Sequence, residues 1–266
     1  MNAPTDIWKF FELAEGETIR WDVGSFCFYA GRIQNDWFLW HNWREGSQSV
    51  DIQIRKESLT HDIDYDRWAF KTPKHRILIS PTMPDRPMVV RPVTPLGIPP
   101  ESEVHFFINI PSRIKVSIGD ERNFNELAEF SSQILSNTWF GDNFTGILCY
   151  SNKSYIRREK QELDVIPNQI ICPFKIKNKG GEILKVERIC LNVKYLSIYA
   201  GQQRLWSNEV TAIFRGHGKE TQLEYANSAP KDATNPLLLT KAAEKPERGF
   251  LFQTFTNHPF LWRKES

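Results

Sequence analysis

Cysteine is scarce in this chain of 266 residues: Cys27, Cys149, Cys172 and Cys190 are the only four. They are too few for a disulfide framework, and no CxxC or Cys/His spacing suggests zinc. Each lies in an apolar or aromatic stretch, which predicts buried, reduced thiols. Long apolar runs are missing as well, since nowhere do about eighteen such residues follow one another. The opening "MNAPTDIWKFFELAEGE" has neither a basic leader region nor the apolar run of a signal peptide. A soluble, cytoplasmic protein with no membrane span is therefore expected. On that reading the sequons Asn143-Phe144-Thr145 and Asn152-Lys153-Ser154 carry no glycan.

One-sided charge is also absent. Lys and Arg number 34 against 32 Asp and Glu, interspersed, for a net charge of +2. No basic stripe marks a nucleic-acid partner, and no acidic block marks a tail. Signature motifs for chemistry are thin. There is no G-x-S-x-G nucleophile elbow. "RGHGK" at 215–219 has glycines and a lysine without phosphate-loop spacing, so it reads as a hairpin turn whose positive end could meet an anion. The six histidines, at 41, 61, 75, 105, 217 and 258, form no HxH or HExxH pair. "HDIDYD" sets Asp62, Asp64 and Asp66 at the spacing that opens a calcium loop. Arg67 stands where that loop needs glycine and Pro73 where it needs glutamate, so a solvated acidic turn is expected. Neither a metal nor a cofactor is predicted.

What is abundant is aromatic area: 18 Phe, 7 Tyr and 9 Trp. Such side chains suit pleated, half-buried surfaces and favour strands. Residues 25–43, "SFCFYAGRIQNDWFLWHNW", read as a hairpin turning at Gln34-Asn35-Asp36. Trp37, Trp40 and Trp43 there could form a stacking platform for sugars or bases, although core packing is the commoner use. "RILIS" at 76–80 is another strand. Seven prolines between 81 and 100 argue against a helix and a central strand, predicting a linker or a packed strap along a surface or edge. "VHFFINIPSRIKVSI" at 104–118 alternates strictly on both sides of Pro111-Ser112, which predicts a hairpin. "FNELAEFSSQIL" at 124–135 is the one plausible helix, and a helical turn at Leu237 to Ala243 is conceivable. After residue 165, short strand-like runs punctuated by Gly and Asn turns suggest an immunoglobulin-like sandwich, and the aromatic C-terminus suggests a docked tail.

Candidate site residues come from "SNTWFGD" at 136–142, where Trp139 and Phe140 adjoin a Gly141-Asp142 turn. Thr138, Trp139 and Asp142 would present a ligand-binding corner between two strands. Paired carboxylates, Asp142 with Glu103 or Asp120, would be the minimum for a hydrolase. Gly141-Asp142 also suits a turn that needs positive φ, so a purely structural corner is the competing expectation.

Read in order, "RPVTPLGIPP", "VHFFINIP", "LSNTWFGDNFTGILCYS" and the later "PFKIKN" resemble an archaeal and bacterial domain-of-unknown-function family, DUF432, over most of the chain. The resemblance implies a single, β-rich, cytoplasmic family and brings no catalytic residue or cofactor. The sequence thus predicts an all-β protein of two packed sandwich units. Residues 1–158 form the first, including the 81–100 strap, and 159–266 the second, immunoglobulin-like one. Its expected role is a non-enzymatic scaffold that binds an unknown protein or a small polar ligand and can self-associate. A hydrolase of carbohydrate or another small polar substrate is the alternative.

Overall fold

The computed structural model describes residues 4–44, 50–56, 64–121, 123–141, 144, 146–154, 156–216, 221–246 and, for the backbone, 251–252. One helical turn, α1 (Pro4–Ile7), precedes β1 (Phe10–Glu12), β2 (Glu17–Val23), β3 (Phe26–Ile33), β4 (Asp36–Trp43), β5 (Val50–Lys56) and β6 (Asp66–Ala69). Next come β7 (Arg76–Thr82), β8 (Met88–Pro92), β9 (Leu96–Ile98), β10 (Ser102–Pro111), β11 (Arg113–Gly119), β12 (Phe124–Ser131), β13 (Ser136–Phe140) and β14 (Ile147–Ser154). Beyond residue 158 follow β15 (Gln169–Asn178), β16 (Leu184–Val186), β17 (Ile189–Leu191), β18 (Ile198–Gly201), β19 (Arg204–Ser207), β20 (Val210–Phe214), β21 (Thr221–Tyr225), β22 (Leu237–Thr240) and β23 (Leu251–Phe252). The chain is all-β, as its aromatic and β-branched composition predicts.

Its first sheet runs β5-β2-β3-β4-β6 and its second β1-β7-β11-β12. A third, β13-β14-β8-β17, carries the candidate corner. The largest runs β22-β18-β19-β15-β20-β21-β23, with β10 added on β15, and β16-β9 is a two-stranded ribbon. Strands from either side of residue 158 pair in three places: β10 with β15, β8 with β17 and β9 with β16.

The 25–43 hairpin forms as expected. Its two-residue turn joins Ile33 to Asp36, with Gln34 at φ 53°. The three-tryptophan platform does not form. Residues of equal parity share a strand face, so Trp37 and Trp43 turn inward while Trp40 lies opposite. Trp37 is fully buried and donates its indole N–H to Lys74 O at 3.2 Å, and Trp43 donates to Ser131 O at 3.0 Å. The ring of His41 lies 5.9 Å from that of Phe26 and 4.2 Å from that of Phe130, the three forming a triangle, and burial holds its pKa below the usual imidazole value.

Residues 104–118 correct the sequence reading. Both strands exist, yet they part at Pro111-Ser112: β10 pairs with β15, whereas β11 lies between β7 and β12. Ser112 N–H donates to Asn168 O at 2.9 Å, and Ser112 O accepts from Ser132 N at 3.2 Å, which anchors the switch between sheets. Alternation specifies a strand, not its partner. The expected helix at 124–135 is strand β12. Its ladder with β11 slips between Val116 and Ser117, so Leu127 is the extra residue of a bulge. That insertion sets Phe124, Leu127 and Phe130 three apart, a helix-like spacing produced by a strand irregularity. Leu237–Thr240 is likewise a strand, paired with β18, rather than a helical turn.

The proline-rich stretch also departs from expectation. β8 is a central strand, parallel to β14 and antiparallel to β17, with Met88, Val89 and Val90 at 0 % exposure. Pro87 and Pro92 bracket it, so the N–H groups of 88–91 remain for the ladder. The tail begins with β23 on β21, and residues 253–266 lie outside the described residues.

Two outcomes follow. Phe174 is fully buried, with its ring 5.5 Å from that of Phe106 across the β10–β15 pair. Phe174→Ala should cost about 3–5 kcal/mol, read from urea unfolding by tryptophan fluorescence and circular dichroism, with one transition seen by both probes. All four cysteines are free and buried, and burial pushes the thiols of Cys27 and Cys172 up to about 12. An aromatic disulfide reagent should titrate fewer than one thiol per native chain and four in denaturant.

Candidate functional site

The corner is built by β13 and β14, antiparallel, with Thr138 opposite Cys149, Trp139 opposite Leu148 and Phe140 opposite Ile147. Alternation gives the two strands distinct faces. Phe140, Ile147 and Cys149 pack with Val89 and Cys190 in a small apolar cluster of their own. Sγ of Cys149 and Sγ of Cys190 lie 3.9 Å apart there, and the contact with Cys149, reinforced by burial, pushes the Cys190 thiol up. On the other face Tyr150, Met88, Val90, Ile189 and Leu191 belong to the main core. Trp139 and Leu148 continue that face toward the outer strand, where they are 46 % and 44 % exposed.

Gly141 makes the turn after β13. Its φ of 106° suits glycine, and a Cβ there would stand 2.8 Å from Gly146 Cα. A structural corner and an exposed aromatic thus coexist in one motif. Asp142 lies outside the described residues.

Thr138 is held from β8, across the intervening β14, its Oγ1 accepting from Arg91 Nη2 at 3.0 Å. Arg91 Nε is buried with no acceptor among the described residues. Asn137 Oδ1 accepts from Arg86 Nη1 at 3.0 Å, and the Arg86 guanidinium lies over the Tyr150 ring at 5.4 Å. Tyr150 donates its hydroxyl to Asp85 Oδ1 at 3.1 Å. Arg113 pairs with the same carboxylate through Nη1 and approaches Glu129 Oε1 with Nε at 3.3 Å. The two carboxylates titrate apart. Burial pushes Asp85 up, but the Arg113 charge, with hydrogen bonds from backbone, Tyr150 and Arg113, outweighs it and lowers the pKa. Burial prevails at Glu129, whose pKa is raised against the pull of Arg113 and Lys115.

The other hydrolase pairings, Asp142 with Glu103 or Asp120, each include a residue outside the described ones. Glu103, second residue of β10, meets Lys175 and Lys177 at 3.5 and 3.4 Å, while Asp120, just after β11, meets Lys74 at 2.7 Å. Ser112 and Lys115 have the S-x-x-K spacing of a serine nucleophile and its lysine. In extended chain they face opposite ways, and Lys115 pairs with Glu126 at 2.8 Å. Asp62 and the "HGKE" tip of the 215–219 turn lie outside the described residues, as do His61, His217 and His258. Among the described residues no three His, Cys, Asp or Glu side chains converge for a metal, and no helix is long and apolar enough to cross a membrane.

A second feature went unread in the sequence. A cleft of about 330 Å³ lies where β14 leaves its sheet, lined by Asn109, Gln133, Asn152, Lys153, Arg157 and Asp164, among others. No motif announces it, because five separate segments supply its walls.

Trp139→Ala should leave the unfolding free energy from urea titration within about 0.5 kcal/mol of wild type, while Phe140→Ala should lose about 3–5 kcal/mol. Acid unfolding gives a further readout. Because Asp85 is lowered in the folded state, its stabilisation is present above the ordinary aspartate value near 4 and disappears as pH falls through the folded one. Asp85→Asn should therefore flatten the acid limb of a urea-midpoint profile below about pH 4.

Against known proteins, the chain matches the family model described as protein of unknown function (DUF432) over residues 7–260. No curated protein and no solved structure matches it. With nearly its whole length matched, the chain belongs to the DUF432 family.

Proposed function

We propose that the protein is a non-enzymatic interaction scaffold whose contact surface is the β13–β14 corner around Trp139, with Thr138 bracing the strand from its other face and Asp142 next in sequence to the Gly141 turn. The supporting observation is Trp139 opposite Leu148, each nearly half exposed on the outer pair of strands. Burying the exposed half of the Trp139 side chain against a partner would recover about 1 kcal/mol, and tryptophan is a favoured anchor of interfaces. The occupant that suits this surface is an extended apolar segment of another protein, laid along β13. Arg91 fixes Thr138, so the strand is set before a partner arrives.

The reading includes two sandwich-like units, 1–158 and 159–266, with the second immunoglobulin-like. The short strands after residue 165 support it, and the pairings that cross residue 158 would be their seam. It includes a cytoplasmic location, supported by four buried cysteines carried as thiols. The hydrolase alternative draws on Asp85 and Glu129, two carboxylates with oppositely shifted pKa values on one arginine.

The test is paired capture from lysate with wild type and Trp139→Ala, followed by direct titration of the purified captured protein. At least a tenfold loss of affinity in Trp139→Ala, with an unchanged melting temperature, is expected. Equal affinity of the two forms would remove the corner from the account.

A further inference from the structure

The cleft at the end of β14 carries a second inference, independent of the corner. β14 contributes Asn152, Lys153 and Ser154 to the lining, and Gln169, opening β15, contributes from a second strand. Asn109 of β10, Gln133, Arg157 and Asp164 complete the polar surround, over an apolar floor of Leu163 and Ile166. At about 330 Å³, the space lies at the small end of ligand sites.

The carboxamides are already oriented. Asn152 Nδ2 donates to Asn109 O at 2.6 Å, which fixes the amide and leaves its Oδ1 as an acceptor. Gln169 Nε2 donates to Gln133 Oε1 at 3.4 Å, leaving Gln133 Nε2 as a donor and Gln169 Oε1 as an acceptor. Fixed donors and acceptors side by side suit hydroxyl groups, which do both. The charges add a second requirement. Among the described residues the side chains of Lys153 and Asp164 make no hydrogen bond or ion pair, and Arg157 adds a second cation to the same lining. Two cations against one carboxylate favour a ligand with an anionic group, and the carboxylate can accept from a ligand hydroxyl.

We infer that this cleft binds a small polyhydroxylated anion, a monosaccharide-sized molecule carrying one carboxylate or phosphate. Lys153 and Arg157 hold the anionic group, and Asn152, Gln133 and Gln169 hold the hydroxyls. This site is some four residues of strand from Leu148, so a protein on the corner and a ligand in the cleft are separate events.

Isothermal titration of the full chain tests it with four probes: gluconate, glucose 6-phosphate, neutral glucose and inorganic phosphate. At least one charged sugar should bind with Kd below about 1 mM, and glucose and inorganic phosphate should each bind at least tenfold more weakly. Which charged sugar binds identifies the anionic group. Lys153→Gln, on an exposed side chain, should weaken that binding at least tenfold, and Trp139→Ala should leave it unchanged. Silence with both charged sugars, equal binding by Lys153→Gln, or inorganic phosphate binding as tightly as the sugar would each overturn the inference. Because Trp139→Ala reads the corner and Lys153→Gln the cleft, failure of one proposal is distinguishable from failure of the other.

Discussion

The pairing of β10 with β15 is the constraint on which the rest of the structure depends. Ten consecutive residue pairs, Ser102–Asn178 through Pro111–Gln169, join segments distant in sequence. Closing so long a loop costs conformational entropy before any contact is made, and the ladder offsets it with fully buried side chains, among them Phe106, Ile108, Ile110, Ile170, Cys172 and Phe174. Pro173 sits inside this ladder opposite Phe107. Phe107 directs its N–H away from β15 to Arg157 O at 2.9 Å, so Pro173 also turns its nitrogen outward. There β15 changes neighbours, from β19 at Ile171 to β20 at Phe174, and no donor is needed.

From that spine the other sheets take their positions. Asn178, the last residue of β15, donates through its amide to Ile98 O, Pro99 O and Glu182 O at 2.9, 3.0 and 2.8 Å. One buried side chain thus ties the β9 segment to the loop that leads into β16. Ser112 and Asn168 tie the opposite end of the ladder to the second sheet. β8 carries the corner, since its Arg91 holds Thr138 and its Val89 underlies Phe140. The exposed Trp139 therefore stands on a rigid support, which suits a surface that recognises rather than one that rearranges.

Much of this was legible in the residues, and the reasons differ by element. The β3–β4 hairpin could be read because its turn and both strands are contiguous. The fate of β10 could not, since its alternation fits any partner and the one it takes lies some sixty residues on. Leu127 misled by sitting in a bulge, and the prolines around β8 misled by number, when their places at 87 and 92 were what mattered. At the corner, Gly141 was readable from turn chemistry. Arg91 was not, because it reaches Thr138 from 47 positions away, and the amide-lined cleft draws on too many segments to leave a local pattern.

Native-state hydrogen exchange in increasing urea tests the central claim most directly, by following amides of β10, β15, β8 and the β2–β3 sheet together. If the β10–β15 ladder binds both halves of the chain into one unit, the slowest amides of all four regions should merge into a single global-unfolding isotherm. Amides of residues 1–158 exchanging through a separate, lower-energy opening while β15 stays protected would contradict it.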